Sequence, residues 1–151
     1  MLRSEQTPAC HWHTTCPEGW GLMPSSEQSI TRIRPVLVVE DDTLVSETIA
    51  VMLDGHYETV VAQTVEEALA NLGPLPLSDP EHRDKPLILL DCLLPGGRLA
   101  ELLQAADQQS IPIVLMSGDP ERATRIDAHR RFLPKPFSRE KLLQALTAAC
   151  G

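Results

Sequence analysis

"LILLDCLLPGG", Leu87 to Gly97, is an unbroken apolar run that ends on an aspartate and then turns away through a proline and two glycines. A strand this apolar is buried on both faces, as the strands of a parallel sheet are. Its last residue, Asp91, is thereby carried to the rim of a hydrophobic core, where an ionised carboxylate needs partners. Asp91 is either a capping residue with a local hydrogen bond or a member of a site.

The chain on either side of this strand repeats the same plan. "PVLVVE" from Pro35 is a strand-length apolar run, and "DDTLVSETIAVML" after it sets Val45, Ile49 and Leu53 at helical spacing. Gly55 stands just past the end of that helix, where helices stop. "YETVVA" is a second strand. "TVEEALANL" opens with Thr64 and Glu67 in capping-box spacing. "GPLPLSDPEHRDKP" is a polar, proline-broken loop. After the strand at 87–91, the pattern predicts a helix at 98–106, a strand at 111–116 and a short helix at 120–129. A strand at 131–134 and a helix at 139–149 follow, the last capped by Ser138. Five strand–helix units of this length predict an α/β fold: a doubly wound, five-stranded parallel sheet with helices on both faces and a shortened fourth helix. Residues 1–34 share none of this periodicity and read as an irregular, disordered tail before a domain at 35–150. Translation beginning at Met23 would shorten that tail.

Bulk properties narrow the function. A 151-residue chain with 42% hydrophobic content supports one globular core, and 3% aromatic content means that the core is aliphatic. A net charge of −8 argues against an electrostatic grip on nucleic acid or an anionic membrane. No segment has the apolar length of a bilayer span, and the start lacks a signal peptide's apolar core. The four cysteines, Cys10, Cys16, Cys92 and Cys150, read as free thiols of a cytoplasmic protein.

In doubly wound sheets chemistry gathers at the carboxyl ends of the strands. Here the first strand ends in Glu40-Asp41-Asp42, the third in Asp91, the fourth in Ser117-Gly118 and the fifth in Lys135-Pro136. Carboxylates converging on one rim repel each other unless a cation sits among them, and hard oxygen ligands favour Mg²⁺. A lysine and a hydroxyl at the same rim supply donors for a transferring phosphoryl group, which needs positioning and charge neutralisation above all. Asp91 is then the nucleophile, forming an acyl phosphate.

Taken in order, "VLVVEDD", "LILLDCLLPGG", "IVLMSGD" and "FLPKPF" resemble the receiver domain of two-component response regulators, of the single-domain, CheY-like kind with a flavodoxin-like fold. The resemblance implies that Glu40 and Asp41 hold Mg²⁺, with Asp42 outside the pair, and that Asp91 is the phosphoacceptor and a third ligand. It implies a further ligand in the backbone carbonyl of Leu93. Ser117 is the hydroxyl residue that swings toward the phosphoryl group, Phe132 the switch aromatic, and Lys135 the lysine that pairs with phosphate ahead of a cis proline. The donor would be a sensor histidine kinase or a histidine phosphotransfer protein. With sixteen residues after Lys135 and an irregular head, the chain is expected to act as a stand-alone receiver. It would signal by contact with a downstream protein and not by binding DNA. It would be a phosphoacceptor that catalyses only its own phosphorylation and dephosphorylation. Leu93 and Asp119 occupy positions that tune loss of phosphate in the family, and a leucine cannot orient a water, so slow self-dephosphorylation is expected.

Departures from the family pattern keep other readings open. The interval from Ser117 to Lys135 is about one helical turn short, and "AHRRF" replaces the usual Gly-Ala before the last strand. A degenerate receiver, acting as a binding module that is never phosphorylated, is the alternative. A haloacid-dehalogenase-like phosphatase shares the aspartate nucleophile and Mg²⁺, but it needs a second acid where Leu93 stands. Arg122, Arg125, His129 and Arg130 fall near one face of the predicted fourth helix, as a solvated face or as a docking surface for an acidic partner. "CHWHTTC" offers Cys10, His11, His13 and Cys16, but its spacing does not match the usual zinc arrangements, and no metal site is assigned there. Cys92, beside Asp91, points to the opposite face and reads as core.

Overall fold

The computed structural model describes residues 34–72 and 86–150. Strand and helix alternate five times: β1 (Arg34–Val39), α1 (Thr43–Leu53), β2 (Tyr57–Ala62), α2 (Val65–Leu72), β3 (Leu87–Asp91), α3 (Leu99–Gln108), β4 (Ile113–Ser117), α4 (Pro120–Ile126), β5 (Arg131–Pro134) and α5 (Arg139–Cys150). All strand pairs are parallel. The sheet order is β2-β1-β3-β4-β5, which makes the doubly wound sheet that the repeat predicts and the flavodoxin-like arrangement that the resemblance implies. The order reverses between β1 and β3, which leaves a crevice outside their carboxyl ends. The tail before Arg34, with its "CHWHTTC" cluster, and the loop at 73–85 lie outside the described residues. Among the described residues no helix is long and apolar enough to cross a membrane.

Successive strand residues point to opposite faces, and each face has its own core. Val36, Val38, Leu87, Leu89, Val114 and Met116 pack with Ile49 and Leu53 of α1 and with Leu142 and Leu146 of α5. Leu37, Val39, Ile88, Leu90 and Leu115 pack with Ala68 and Leu72 of α2, Leu102 and Ala106 of α3 and Ala123 of α4. Every residue of β3 and β4 is buried, which is why those segments read as continuous apolar runs.

Local hydrogen bonds fix the helix starts. Asp42 caps α1, its carboxylate accepting from the amides of Leu44 and Val45. Thr64 Oγ1 accepts from the Glu67 amide at 3.1 Å, while the Glu67 carboxylate reaches back to the Gln63 amide at 2.7 Å. Ser138 Oγ accepts from the Lys141 amide at the head of α5. Gly55, at φ +83°, turns the chain after α1.

Three boundaries differ from the periodicity by two residues or more. Helix α3 runs on to Gln108, and Ile111 closes its end by donating to the Ala106 carbonyl. Strand β4 begins only at Ile113, because Pro112 has no N–H to give the ladder. Helix α4 stops at Ile126 and not at 129. Asp127 turns extended, at φ −162° and ψ 109°, and its carboxylate accepts from the His129 amide at 2.9 Å, a local turn that competes with the helix. His129 and Arg130 therefore leave the α4 face on which the sequence set them. Arg130 instead pairs with Asp107 of α3 at 2.7 Å and with Asp127 at 2.9 Å.

Candidate functional site

Four of the five strands, β1, β3, β4 and β5, each deliver a polar group to the carboxyl end of the sheet. The β1 ladder carries on to Glu40, whose amide donates to the Ala62 carbonyl of β2. This puts the Glu40 side chain at the mouth of the core, almost wholly buried, with Asp41 beside it in solvent. Asp91, the buried last residue of β3, comes up next to it, because β1 and β3 are neighbours.

Lys135 arrives from the far edge of the sheet. Its backbone amide donates to the Ser117 carbonyl at 2.9 Å, and the Lys135–Pro136 peptide is cis. The ammonium then lies between the two buried carboxylates, 2.8 Å from Glu40 Oε2 and 3.3 Å from Asp91 Oδ1. Glu40 Oε1 accepts from the Asp42 amide at 3.2 Å. Asp91 Oδ1 accepts from the Leu93 amide at 3.2 Å. Asp91 is thus both things its position allowed, a local hydrogen-bond acceptor and a member of a charged cluster.

Burial is the strongest influence on Glu40 and raises its pKa above the ordinary carboxylate value, with the Asp91 charge adding to it; Lys135 and the Asp42 amide oppose this. For Lys135, burial works against the charged form. The hydrogen bond to Glu40 and the Asp91 charge outweigh it and hold the pKa above the ordinary lysine value. The ammonium therefore stays charged at neutral pH.

One oxygen from each of Glu40, Asp41 and Asp91 lies within 4.8 Å of the others. This donor set is all carboxylate oxygen, hard and partly open to water, and it suits Mg²⁺, which keeps several of its waters. Leu93 stands at the lip of the site, about half exposed.

The remaining expected residues are arranged differently. Ser117 is fully buried at the end of β4, and its hydroxyl accepts from the Asp119 amide at 2.9 Å. It therefore leans on the following loop, with its own proton free to donate. Phe132 lies outside the acid cluster, half-buried against the core shared by α2, α3 and α4. Cys92 is buried in that same core, on the face away from Asp91.

Two features were not read from the sequence. One is the direct Glu40–Lys135 contact, which joins residues 95 apart. The other is the link from Asp119 to Ser117, signalled only by the "SGDP" spacing. Asp119 also caps α4 through the amides of Glu121 and Arg122, so one residue holds both the hydroxyl and the helix.

A family model for the response regulator receiver domain matches residues 36–147. Among curated proteins, the phosphate regulon transcriptional regulatory protein PhoB of Escherichia coli K12 is 28% identical over 124 residues, covering 76% of this chain and 51% of PhoB. The transcriptional regulatory protein FixJ of Azorhizobium caulinodans is 28% identical over 123 residues, covering 78% of this chain and 55% of FixJ. The chain spans about half the length of these relatives. Among solved structures, the chemotaxis response regulator CheY4 of Vibrio cholerae superposes with a TM-score of 0.62 at 27% identity, covering 78% of this chain and 98% of CheY4.

Proposed function

The chain belongs to the response regulator receiver domain family, and from that premise we propose that it is a phosphorylation-controlled signalling module with Asp91 as its phosphoacceptor. The observation that carries this reading is the position of the Lys135 ammonium, between the buried carboxylates of Glu40 and Asp91. The donor is a phosphohistidine on a sensor kinase or a phosphotransfer protein. An Asp91 carboxylate oxygen attacks the phosphorus, the O–P bond forms as the P–N bond breaks, and the imidazole leaves with the electron pair and takes a proton.

Each of the chain's residues then has one task. Asp91 supplies the nucleophilic oxygen, and its bond to the Leu93 amide orients the carboxylate. Lys135 passes from the carboxylates to the new phosphoryl oxygens, and its positive charge is secured at neutral pH by its neighbours. Ser117 has a hydroxyl proton to give to a phosphoryl oxygen, and Phe132 follows it as the switch aromatic. Glu40, Asp41, Asp91 and the Leu93 carbonyl would hold Mg²⁺, which when bound neutralises charge on the phosphoryl group. The protein acts in the cytoplasm and passes its state on by protein–protein contact.

A second reading, the degenerate receiver, draws support from α4, which is seven residues long. One experiment separates them: intact mass after incubation with acetyl phosphate, with and without Mg²⁺, beside Asp91→Asn. A single phosphoryl adduct that needs both the metal and Asp91 is expected. No adduct, or an adduct retained by Asp91→Asn, would overturn the phosphoacceptor reading.

A further inference from the structure

The two edges of the sheet are finished differently. Strand β5 is four residues long and runs from Arg131 to Pro134, with Lys135 and Pro136 behind it. Shortness, charge and proline are the devices that keep a sheet edge from pairing with another strand. Strand β2, at the other edge, has none of them. It keeps unbroken register with β1 over six residues, Tyr57–Ala62, with no bulge. It holds no proline or lysine, its one charge is Glu58, and Val60 and Val61 stand exposed on it.

Hydrogen bonding shows which half of the β2 backbone is engaged. The Glu40 amide donates to the Ala62 carbonyl, so Ala62 faces β1, and by alternation Val60 and Glu58 do as well. Tyr57, Thr59 and Val61 therefore turn their N–H and C=O groups outward. Those groups have no partner among the described residues. The side chains of Thr59 and Val61 lie beside Val36 and Val38, on the face where Tyr57 packs against the α1 and α5 core.

An open edge takes another strand, and the β2 sequence matches itself. In an antiparallel pair, residues that point across exchange both of their hydrogen bonds. With a two-fold axis at Thr59, Thr59 meets its own counterpart, and Tyr57 meets Val61 in both directions. Every outward group is then satisfied. Threonine opposite threonine and an aromatic opposite a β-branched residue are favourable cross-strand pairs. On the other face Glu58 falls opposite Val60. A shift of the register by two residues toward Tyr57 would set Glu58 against Glu58 and lose hydrogen bonds as well. We propose that two copies of this chain pair antiparallel along β2, joining their five-stranded sheets into one. An edge contact of this size is small, so the dimer is weak and forms at high concentration. Asp54, Glu58, Glu66 and Glu67 lie exposed around the edge, so the copies repel at low salt, and screening strengthens the pair. None of this uses the acid site, so it stands apart from the phosphoacceptor reading.

The test follows the full chain, ¹⁵N-labelled, by sedimentation equilibrium and amide exchange from about 10 µM to about 1 mM. A monomer–dimer equilibrium that tightens with added salt is expected. Exchange at Thr59 and Val61 should slow severalfold as concentration rises, while Val60, already bonded to β1, changes little. Thr59→Pro removes an outward N–H without touching the β1 ladder and should abolish the dimer. Val61→Lys, the milder variant should the proline unfold the strand, should weaken it about tenfold through the two lost Tyr57–Val61 pairs. A monomer at every concentration would overturn the proposal, as would a dimer that weakens with salt or is unchanged in both variants. Protection of Thr59 and Val61 that does not vary with concentration would also overturn it, because a segment of the same chain would then cover the edge.

Discussion

Cys92 stands one residue beyond Asp91 and is closed into the opposite core. Burial first, and the Asp91 charge second, push its thiol up to about 11. Because the folded pKa is the raised one, the stability it implies is complete below about pH 9, the ordinary value. It is lost as pH climbs toward about 11. Urea unfolding at the two ends of that window should show the native chain losing about 2 kcal/mol more than Cys92→Ala. An equal loss in the two would mean that the thiol titrates freely. At neutral pH the same burial leaves Cys92 protonated and inert, so the acid site next to it operates without interference from a thiolate. Position alone announced this: neighbouring residues of one strand face opposite ways, and that much was legible from the sequence.

At the scale of elements, α4 depends on a single residue. Its seven residues are too few to hold together by propensity alone, and Asp119 supplies the cap while its amide fixes the Ser117 hydroxyl. Asp119→Ala should cost about 1 kcal/mol and speed amide exchange in Arg122–Ile126 ahead of the rest of the fold, while Asp119→Asn keeps most of the protection. Uniform change across all helices would refute the local role. Other element boundaries show where reading a sequence works and where it stops. Thr64 and Ser138 cap helices as their types and spacing foretell. The end of α4 was misplaced because Arg122, Arg125 and His129 continue a helical rhythm that the Asp127 turn interrupts. Turn chemistry of that kind competes with periodicity without leaving a periodic trace. The Arg130–Asp107 pair was equally hidden, since nothing in either segment names the other.

For the whole molecule, the five parallel strands follow from five apolar runs and their connections, and so were legible, while their arrangement was legible only through the family resemblance. What brings Glu40, Asp91 and Lys135 to one point was legible only as far as strand ends go; the distances among them depend on side-chain reach across three strands. The sheet's centre carries the stability. Leu90, fully buried in β3, should cost about 2–5 kcal/mol when cut to alanine, read as a lower urea midpoint with unchanged slope. A loss under 1 kcal/mol, order-of-magnitude, would mean that the core there rearranges freely. The edges are held differently. Strand β5 is four residues long, pairs on one side only, and would be first to fray. Yet its Lys135 is moored to Glu40 at the other end of the chain, and each departure of the strand would leave two buried carboxylates facing one another unscreened. The charge that serves the site is also a tether: a short edge strand is pulled home by the repulsion that its absence would release.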